Sequence, residues 1–433
     1  MDICVVGAGH VGLVTAAVFA DLGNSVACVD VDQSRVEGLC EGRMPFFEPG
    51  LQEMVERNHA DGRLTFTSDH SQAIPGAEVV FICVDTPPGP DGKADLSHIS
   101  GAAEGIARHL TGSTLVVNKS TVPVGTGDIV REILRRHAPP EAEFEVVSCP
   151  EFLREGSAIA DSLNPDRIII GCNNQKAATK LLELYAPLER PVLLMDLNSA
   201  EMVKYASNSF LAARISFINS IADLCERMGA DISQVIKGMR ADERIGPHFL
   251  SPGLGYGGWC FPKDTEALAA ASAAVGAPFR VLEAVIEVNR NRVPHFVARM
   301  KETLGHLDSR VIAVLGISFK PNTDDIREAK AIELIRSLLE QRALVRAYDP
   351  AAMPEAQRLL PQVTFCENPY QAAQGADALV VATEWNEFKL VDLARLRQLL
   401  RQPVVFDGRN VYSPERMAQL GFRYVSVGRP RGS

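Results

Sequence analysis

The first thirty residues constrain the fold more than any other stretch of the chain. Asp2-Ile3-Cys4-Val5-Val6 is a β-branched run that leads into Gly7-Ala8-Gly9-His10-Val11-Gly12 and an alanine-rich helical pattern, and a second apolar run, Ser25 to Val29, ends at Asp30. A G-x-G-x-x-G set between a strand and a helix demands a βαβ unit, and therefore a parallel sheet. Gly7 permits the tight turn, Gly9 lets a pyrophosphate approach the backbone, and Gly12 lets helix and strand pack closely. The helix N-terminus supplies N–H donors and partial positive charge, with His10 and Val11 completing the loop. A carboxylate at Asp30 accepts both hydroxyls of a ribose and repels a 2′-phosphate, so the unit predicts NAD over NADP, with Arg35 a nearby cation that opposes this preference.

The same alternation continues. Short β-branched runs at 2–6, 25–30, 63–67, 78–84, 113–118, 145–149, 167–171 and 191–195 are separated by amphipathic segments, which predicts a doubly wound parallel sheet over residues 1–196. Val84-Asp85-Thr86-Pro87 and Lys119-Ser120-Thr121-Val122-Pro123 each follow a strand at the edge of the sheet where a ligand lies. From Leu197 a helical period runs to Met228 with no Pro or Gly before Gly229, the mark of one long helix that bridges domains or builds an oligomer interface. Helical patterns at 231–240, 264–275 and 279–304 complete a central region, 197–304, in which the alanine-rich stretch Ala267 to Ala277 reads as a buried helix. Apolar runs at 310–316, 343–348, 378–382 and 403–406 predict a second α/β domain over 305–433. Its first strand ends at Gly316-Ile317-Ser318 without the glycine fingerprint, which argues against a second dinucleotide site. The expected fold is thus α/β: two Rossmann-like doubly wound domains joined by a long central helix and a helical dimerisation region. The tail from Gly428 to Ser433 reads as frayed.

Charge and cysteine usage narrow the function. The 433 residues carry 44 Lys plus Arg against 54 Asp plus Glu, a formal charge of −10, so an electrostatic nucleic-acid binder is excluded and anionic ligands must meet local positive groups. Nine cysteines, odd in number and scattered without a Cys-x-x-Cys pair, indicate a reduced, cytoplasmic protein. The chain opens on a strand pattern instead of a signal peptide, and no apolar run approaches the ~18 residues of a membrane span. The nine histidines lack metal-ligand spacing, so no metal is expected.

The densest unusual segment runs from Arg244 through Phe249 to Pro252-Gly253-Leu254-Gly255-Tyr256-Gly257-Gly258-Trp259-Cys260-Phe261-Pro262-Lys263-Asp264. Glycines this close together describe backbone packed tightly around something. Pro262, read as the first residue of a helix, puts Cys260 at its N-terminus, where the dipole and Lys263 favour the thiolate, with Asp264 one turn away. Lys204 and Asn208, four apart on the long helix, share a face and offer a cation and an amide to one oxygen. Pro150-Glu151-Phe152-Leu153-Arg154-Glu155-Gly156 places two carboxylates after the sixth strand.

With these motifs in order, the sequence resembles the UDP-glucose/GDP-mannose dehydrogenase family, most closely its UDP-glucose branch. The likeness covers Gly7 to Gly12, Asp30, Glu48-Pro49-Gly50, Lys119 to Thr126, Pro150 to Gly156, Lys204 to Asn208, Arg244 to Asp264, Phe319 to Glu328 and Asp407-Gly408-Arg409-Asn410. It implies oxidation of a sugar C6 alcohol to a carboxylate, UDP-glucose to UDP-glucuronate, by two hydride transfers to NAD and a hydrolysis. By this resemblance Cys260 adds to the C6 aldehyde and carries the thioester, and Lys204 and Asn208 stabilise the oxyanions. Thr121 and Asp264 orient water, and Glu151 handles protons. The cofactor contacts implied are Gly7, Gly9, His10, Val11, Gly12, Asp30, Arg35, Thr86, Ser120, Thr121, Glu155, Lys263 and Arg327. The substrate contacts implied are Glu151, Phe152, Leu153, Lys204, Asn208, Phe249, Gly253, Gly257, Phe319, Lys320 and Arg409, with Arg244 supplied by the neighbouring subunit of a homodimer built on the long helix.

The chain departs from the family pattern at Cys149, usually Asn, at His10, commonly Tyr, at Trp259, commonly Ser, and at Asp85. Cys149 is expected to compete in thiol labelling. GDP-mannose and TDP-glucose remain alternative substrates. A single-step hydroxyacid dehydrogenase has no use for Cys260, and a lapsed enzyme would have lost one of Cys260, Lys204, Asn208 or Asp264.

Overall fold

β1 (Asp2–Val6) is apolar at every position after Asp2 because both of its faces are covered. Ile3 and Val5 pack with Leu13, Val14 and Ala17 of the helix His10–Asp21, whereas Cys4 and Val6 pack on the other face with Ile99, Ala103 and Ile106. A strand buried on both sides needs a continuous apolar run, not an alternating one. The computed structural model describes residues 1–89 and 92–430.

Seven more strands join β1: β2 (Ser25–Val29), β3 (Leu64–Thr67), β4 (Val79–Ile82), β5 (Ser113–Asn118), β6 (Glu143–Ser148), β7 (Ile168–Gly171) and β8 (Val192–Met195). Their order is β3-β2-β1-β4-β5-β6-β7-β8. All neighbours are parallel except β6 and β7, which meet antiparallel at Ser148 and Gly171, so the wholly parallel sheet read from the sequence is corrected there. The connection, residues 149–167, carries the six-residue helix Ala158–Leu163 in place of the full crossover helix of a βαβ unit.

The second sheet contains β9 (Val311–Leu315), β10 (Leu344–Tyr348), β11 (Thr364–Phe365), β12 (Ala378–Val381), β13 (Val404–Asp407) and β14 (Arg423–Ser426). All are parallel, in the order β11-β10-β9-β12-β13-β14. Its core joins Ile312 and Val314 to Ile332, Ile335 and Leu338 of the helix Lys330–Glu340.

The long helix spans Leu197–Met228, 32 residues, as the absence of Pro and Gly predicts. The 279–304 pattern is two helices, Arg280–Arg290 and Arg292–Leu304, separated by Asn291. The thiol helix starts at Cys260 and ends at Ala274, so Pro262 is its third residue instead of its first. Of the alanine-rich stretch 267–277 only Ala267 is buried, which corrects the buried helix expected there. The tail is tied down as far as it is described: Gly428 N–H donates to Glu226 Oε1 (2.7 Å) and Arg429 Nη2 to Ser233 Oγ (2.7 Å). Residues 431–433 lie outside the described residues.

By internal contacts the chain divides into two compact units, Met1–Ser207 with Glu266–Gly276, and Asn208–Thr265 with Ala277–Ser433. Among the described residues no helix is long and apolar enough to cross a membrane.

Candidate active site

In the first unit the glycine fingerprint takes the geometry its chemistry needs. Gly7 sits at φ +105°, and a Cβ on Gly12 would lie 1.8 Å from the Gly7 carbonyl oxygen, so that position tolerates no side chain. A Cβ on Gly9 would meet nothing within 4 Å, which leaves the helix start open for a ligand. Asp30 is buried: Oδ2 accepts the Ala8 N–H (2.7 Å) and Oδ1 the Asp32 N–H (2.9 Å). Arg35 Nη1 donates to the same Asp30 Oδ2 at 2.9 Å, so the cation is tied to the carboxylate. His10 stacks on Phe46 with ring centroids 3.6 Å apart.

Two turns at the C-terminal edge of this sheet are sewn together. Thr86 Oγ1 donates to the Thr121 carbonyl (2.8 Å), and Ser120 Oγ donates to the Val84 carbonyl (2.7 Å). The 150–158 segment is held by a residue to which the sequence reading gave no role: the buried Glu48 accepts the N–H groups of Gly156 (2.6 Å) and Ala158 (2.8 Å). Its Glu-Pro-Gly signature was visible, but the partner lies more than a hundred residues away in sequence. On this segment Glu151 Oε1 accepts from Lys204 Nζ at 2.9 Å, both side chains being buried, and Glu151 Oε2 accepts the Leu153 N–H (2.8 Å). The Lys204 ammonium also lies 5.3 Å from the Phe152 ring centre. Glu155 lies on the same loop, partly exposed. Cys149, by contrast, is buried with its Sγ 3.5 Å from the Tyr185 hydroxyl, which removes it as a competing site for thiol reagents.

In the second unit Asn208 Nδ2 donates to Asp264 Oδ2 at 2.6 Å, and Lys263 Nζ donates to Asp264 Oδ1 at 2.8 Å; all three side chains are buried. Cys260 is partly exposed at the first position of its helix, where backbone N–H groups lack intrahelical partners and favour negative charge. Phe249 has a left-handed backbone (φ 56°) and its ring lies 6.1 Å from that of Phe261. Trp259 lies 4.8 Å beneath the Arg327 guanidinium, which is also paired with Asp325.

The glycines between these residues pack against the chain's own later segments. A Cβ on Gly253 would lie 2.7 Å from the Gly408 carbonyl oxygen, one on Gly257 2.3 Å from that of Glu328, and one on Gly258 2.6 Å from the Phe319 ring. The Gly253 and Tyr256 amides are used internally, whereas those of Leu254, Gly255 and Gly257 meet no acceptor among the described residues. Unpaired N–H groups are donors of the kind that bind anions. Arg409 Nη1 donates to the Gly255 carbonyl (3.3 Å) and its Nε to that of Ala382 (2.9 Å); Lys320 Nζ lies 5.2 Å from the Phe319 ring centre. Arg244 stands apart from these groups, its side chain 89% exposed and paired with Asp242. The second sheet has an acid at the end of β10, but Asp349 is fully buried. It accepts the N–H groups of Ile317, Ser318, Ala351 and Ala352, and the Trp385 Nε1–H. That carboxylate is committed to the fold and offers nothing to a ribose.

Asp223, Glu226 and His295 also converge in this unit, but Arg292 and Arg299 pair with the two carboxylates, which makes the group an ion-pair network.

Comparison with known proteins gives this geometry its setting. The UDP-glucose/GDP-mannose dehydrogenase family matches in three consecutive parts: its NAD binding domain at residues 1–189, its central domain at 198–291 and its UDP binding domain at 313–414. The chain belongs to the UDP-glucose/GDP-mannose dehydrogenase family. A UDP-glucose 6-dehydrogenase of Bacillus subtilis is 48% identical over 99% of this chain and 93% of that protein, and one of Rhizobium meliloti is 46% identical over 99% and 100%. Among solved structures, a UDP-glucose dehydrogenase from Pyrobaculum islandicum superposes with a TM-score of 0.92 at 41% identity, covering 98% of this chain and 96% of that one. A UDP-D-ManNAc dehydrogenase from Pyrococcus horikoshii gives 0.88 at 28% identity, covering 99% of each.

As a member of this family the protein is an NAD-dependent dehydrogenase with a nucleotide-sugar substrate. Its residues fit the cofactor: the side-chain-free approach at Gly9, the helix start behind it and the buried Asp30 carboxylate match a pyrophosphate and a ribose diol.

Proposed function

We propose that the protein oxidises the C6 hydroxyl of UDP-glucose to a carboxylate, giving UDP-glucuronate, through a thioester on Cys260. The observation that carries this reading is the 2.6 Å contact of Asn208 with Asp264, which brings an amide and a carboxylate to the first turn of the helix that Cys260 opens. A single-step dehydrogenase has no need of a thiol in that position.

Bound NAD supplies the hydride acceptor, one equivalent for each of the two two-electron oxidations. Gly7 to Gly12, Asp30 with Arg35, Thr86, Ser120, Thr121, Glu155, Lys263 and Arg327 hold it in this reading. The chain's own groups do the rest. Lys204 and Asn208 donate to the C6 oxygen as it gains negative charge, each worth about 3 kcal/mol in a dry site. Cys260 attacks the aldehyde carbon as thiolate, so the intermediate is retained as a thiohemiacetal and then as a thioester. Thr121 and Asp264 orient the water that breaks the thioester, and Glu151 takes up its proton. The free amides of the glycine loop, with Phe249, Phe319, Lys320 and Arg409, bind the diphosphate and nucleoside end.

The active form in this reading is a homodimer. Phe210, Phe217 and Leu224 are exposed and recur every seven residues on the long helix, which lines an apolar stripe along one face suited to the same stripe of a second copy. Arg244, exposed in its own chain, serves the partner's substrate. All nine cysteines are thiols, in keeping with a cytoplasmic setting.

The test is the NADH released per UDP-glucose at limiting sugar and excess NAD, alongside a Cys260→Ala variant and parallel GDP-mannose and TDP-glucose assays. Two equivalents from UDP-glucose, lost in the variant, support the reading. One equivalent that is insensitive to Cys260, or turnover confined to another nucleotide sugar, overturns it.

A further inference from the structure

The glycine loop does not hold its own shape. Asn219 Oδ1, on the long helix, accepts the Gly253 N–H at 2.8 Å, and Arg292 Nε donates to the Gly253 carbonyl at 3.2 Å. Asn289 takes both polar groups of Tyr256: its Oδ1 accepts the N–H at 2.8 Å and its Nδ2 donates to the carbonyl at 3.0 Å. Arg292 is anchored in turn by Nη1 on Asp223 at 2.5 Å. Asn219, Asn289 and Arg292 are all more than nine-tenths buried.

A carboxamide that meets both the N–H and the C=O of one residue reproduces the pairing of an antiparallel strand and fixes the orientation of the peptide planes on either side. The plane after Tyr256 carries the amide of Gly257, and the plane before it carries the carbonyl of Gly255, whose own amide lies one plane earlier; neither amide meets an acceptor among the described residues. The backbone at Gly255 is shaped to the same bracket: its φ is +104°, and a Cβ there would stand 2.4 Å from Asn289 Oδ1. Four residues after Tyr256 the loop becomes the helix that Cys260 opens, so a shift at Tyr256 is carried toward the nucleophile.

We propose that Asn289, assisted by Asn219 and Arg292, is a positioning residue that sets the Gly253–Gly257 peptide planes so that their free amides receive the diphosphate of the nucleotide sugar. The inference deepens the functional reading above and rests on it. None of the three side chains needs to touch substrate. In the sequence they appear only as a helix-end Asn289-Arg290-Asn291-Arg292 and a mid-helix amide, with nothing to mark them as partners of a loop more than thirty residues away.

The experiment compares the parent with Asn289→Ala, Asn289→Asp and Arg292→Lys. Asn289→Asp keeps the acceptor for Tyr256 N–H but sets an oxygen against the Tyr256 carbonyl. Arg292→Lys keeps the charge beside Asp223 but removes the planar Nε. For each, KM and kcat are measured for UDP-glucose and for NAD, together with the Kd of UDP by calorimetry and the Tm. A rise of tenfold or more in KM for UDP-glucose and in Kd for UDP, with KM for NAD within twofold of the parent, is the expected result. A lowered Tm with sugar KM and UDP Kd unchanged shows a purely structural role and overturns the inference. Should Asn289→Ala not fold, the two conservative variants decide by the same criteria. If the parent releases no NADH from UDP-glucose, the functional reading fails by itself. UDP binding then decides the positioning role: a tenfold loss supports it, and unchanged binding overturns it.

Discussion

Lys204 Nζ and Glu151 Oε1 form a 2.9 Å ion pair in which neither side chain reaches solvent appreciably. Removing one partner of such a pair leaves the other charge uncompensated, at a cost of about 3–5 kcal/mol. Lys204→Ala is therefore expected to lower Tm and, on the proposed role of Lys204 as an oxyanion donor, to lower kcat by about 10²–10³. In the proposed mechanism Glu151→Gln keeps the shape and removes the base, so an acyl-enzyme on Cys260 is expected to accumulate. Intact-mass spectra taken during turnover check this: the variant should carry the adduct and the parent should not. Full-rate turnover by Glu151→Gln without an adduct would remove Glu151 from the proton-handling role.

The Arg35 guanidinium donates to Asp30 Oδ2, the carboxylate that in the proposed reading takes the ribose hydroxyls. Asp30→Ser leaves that cation with its longer contact to Asp32 (3.9 Å) and removes the repulsion of a 2′-phosphate. The ratio of kcat/KM for NAD to that for NADP should fall at least roughly 30-fold, the equivalent of about 2 kcal/mol for one charge-assisted pair. Steady-state kinetics with both cofactors settle the point, and an unchanged ratio would show that selectivity is set elsewhere.

The thiols should sort by environment. Burial, and after it the neighbouring Cys83, pushes the Cys4 thiol up to about 12, and burial likewise pushes Cys83 up to about 12. Both stay protonated and inert near neutral pH. Cys260, partly exposed at a helix start, and the exposed Cys40 should take iodoacetamide at pH 7.5, while Cys4, Cys83 and Cys149 should not. Peptide mapping reads the sites directly, and UDP-glucose without NAD should protect Cys260 alone. Labelling of Cys149 ahead of Cys260 would contradict the accessibility described above.

What the sequence made legible follows from the range of the interactions. The strand–glycine–helix unit, the long helix and most strands of both sheets are written in local periodicity and in residues whose backbone roles are fixed, such as Gly7 and Gly12. Helix spacing alone put Lys204 and Asn208 on one face. What stayed hidden depends on partners distant in sequence. Glu48 holding Gly156 and Asn289 holding Tyr256 are side-chain choices that no periodicity encodes. The antiparallel step at β7 was missed because an apolar run of four residues carries no direction. The edge strands β11 and β14 escaped notice because one has two residues and the other begins with Arg and ends with Ser.

Glu201, buried on the long helix, accepts the N–H groups of Gly125 (2.7 Å) and Gly127 (2.8 Å) at the start of the helix Thr126–His137. Burial pushes its carboxyl from an ordinary 4.5 up to about 7, the two amides pull it back, and the Asp128 carboxylate adds to the rise. The folded state thus holds this proton more tightly than the unfolded chain. Its contribution to stability is fully present below about 4.5 and is lost as pH rises through about 7. Glu201→Gln is neutral at every pH, and its NH₂ faces an N–H it cannot accept, so the variant should be less stable than the parent at pH 5 by about 1–3 kcal/mol. Between pH 5 and pH 8 the parent alone loses the proton-linked contribution, and the gap in Tm should narrow by a few degrees, at roughly 2–4 °C for each kcal/mol. Thermal melts of both proteins across that range test it: a Tm difference that stays constant with pH would show that Glu201 is ionised throughout and acts only as an acceptor for the two amides.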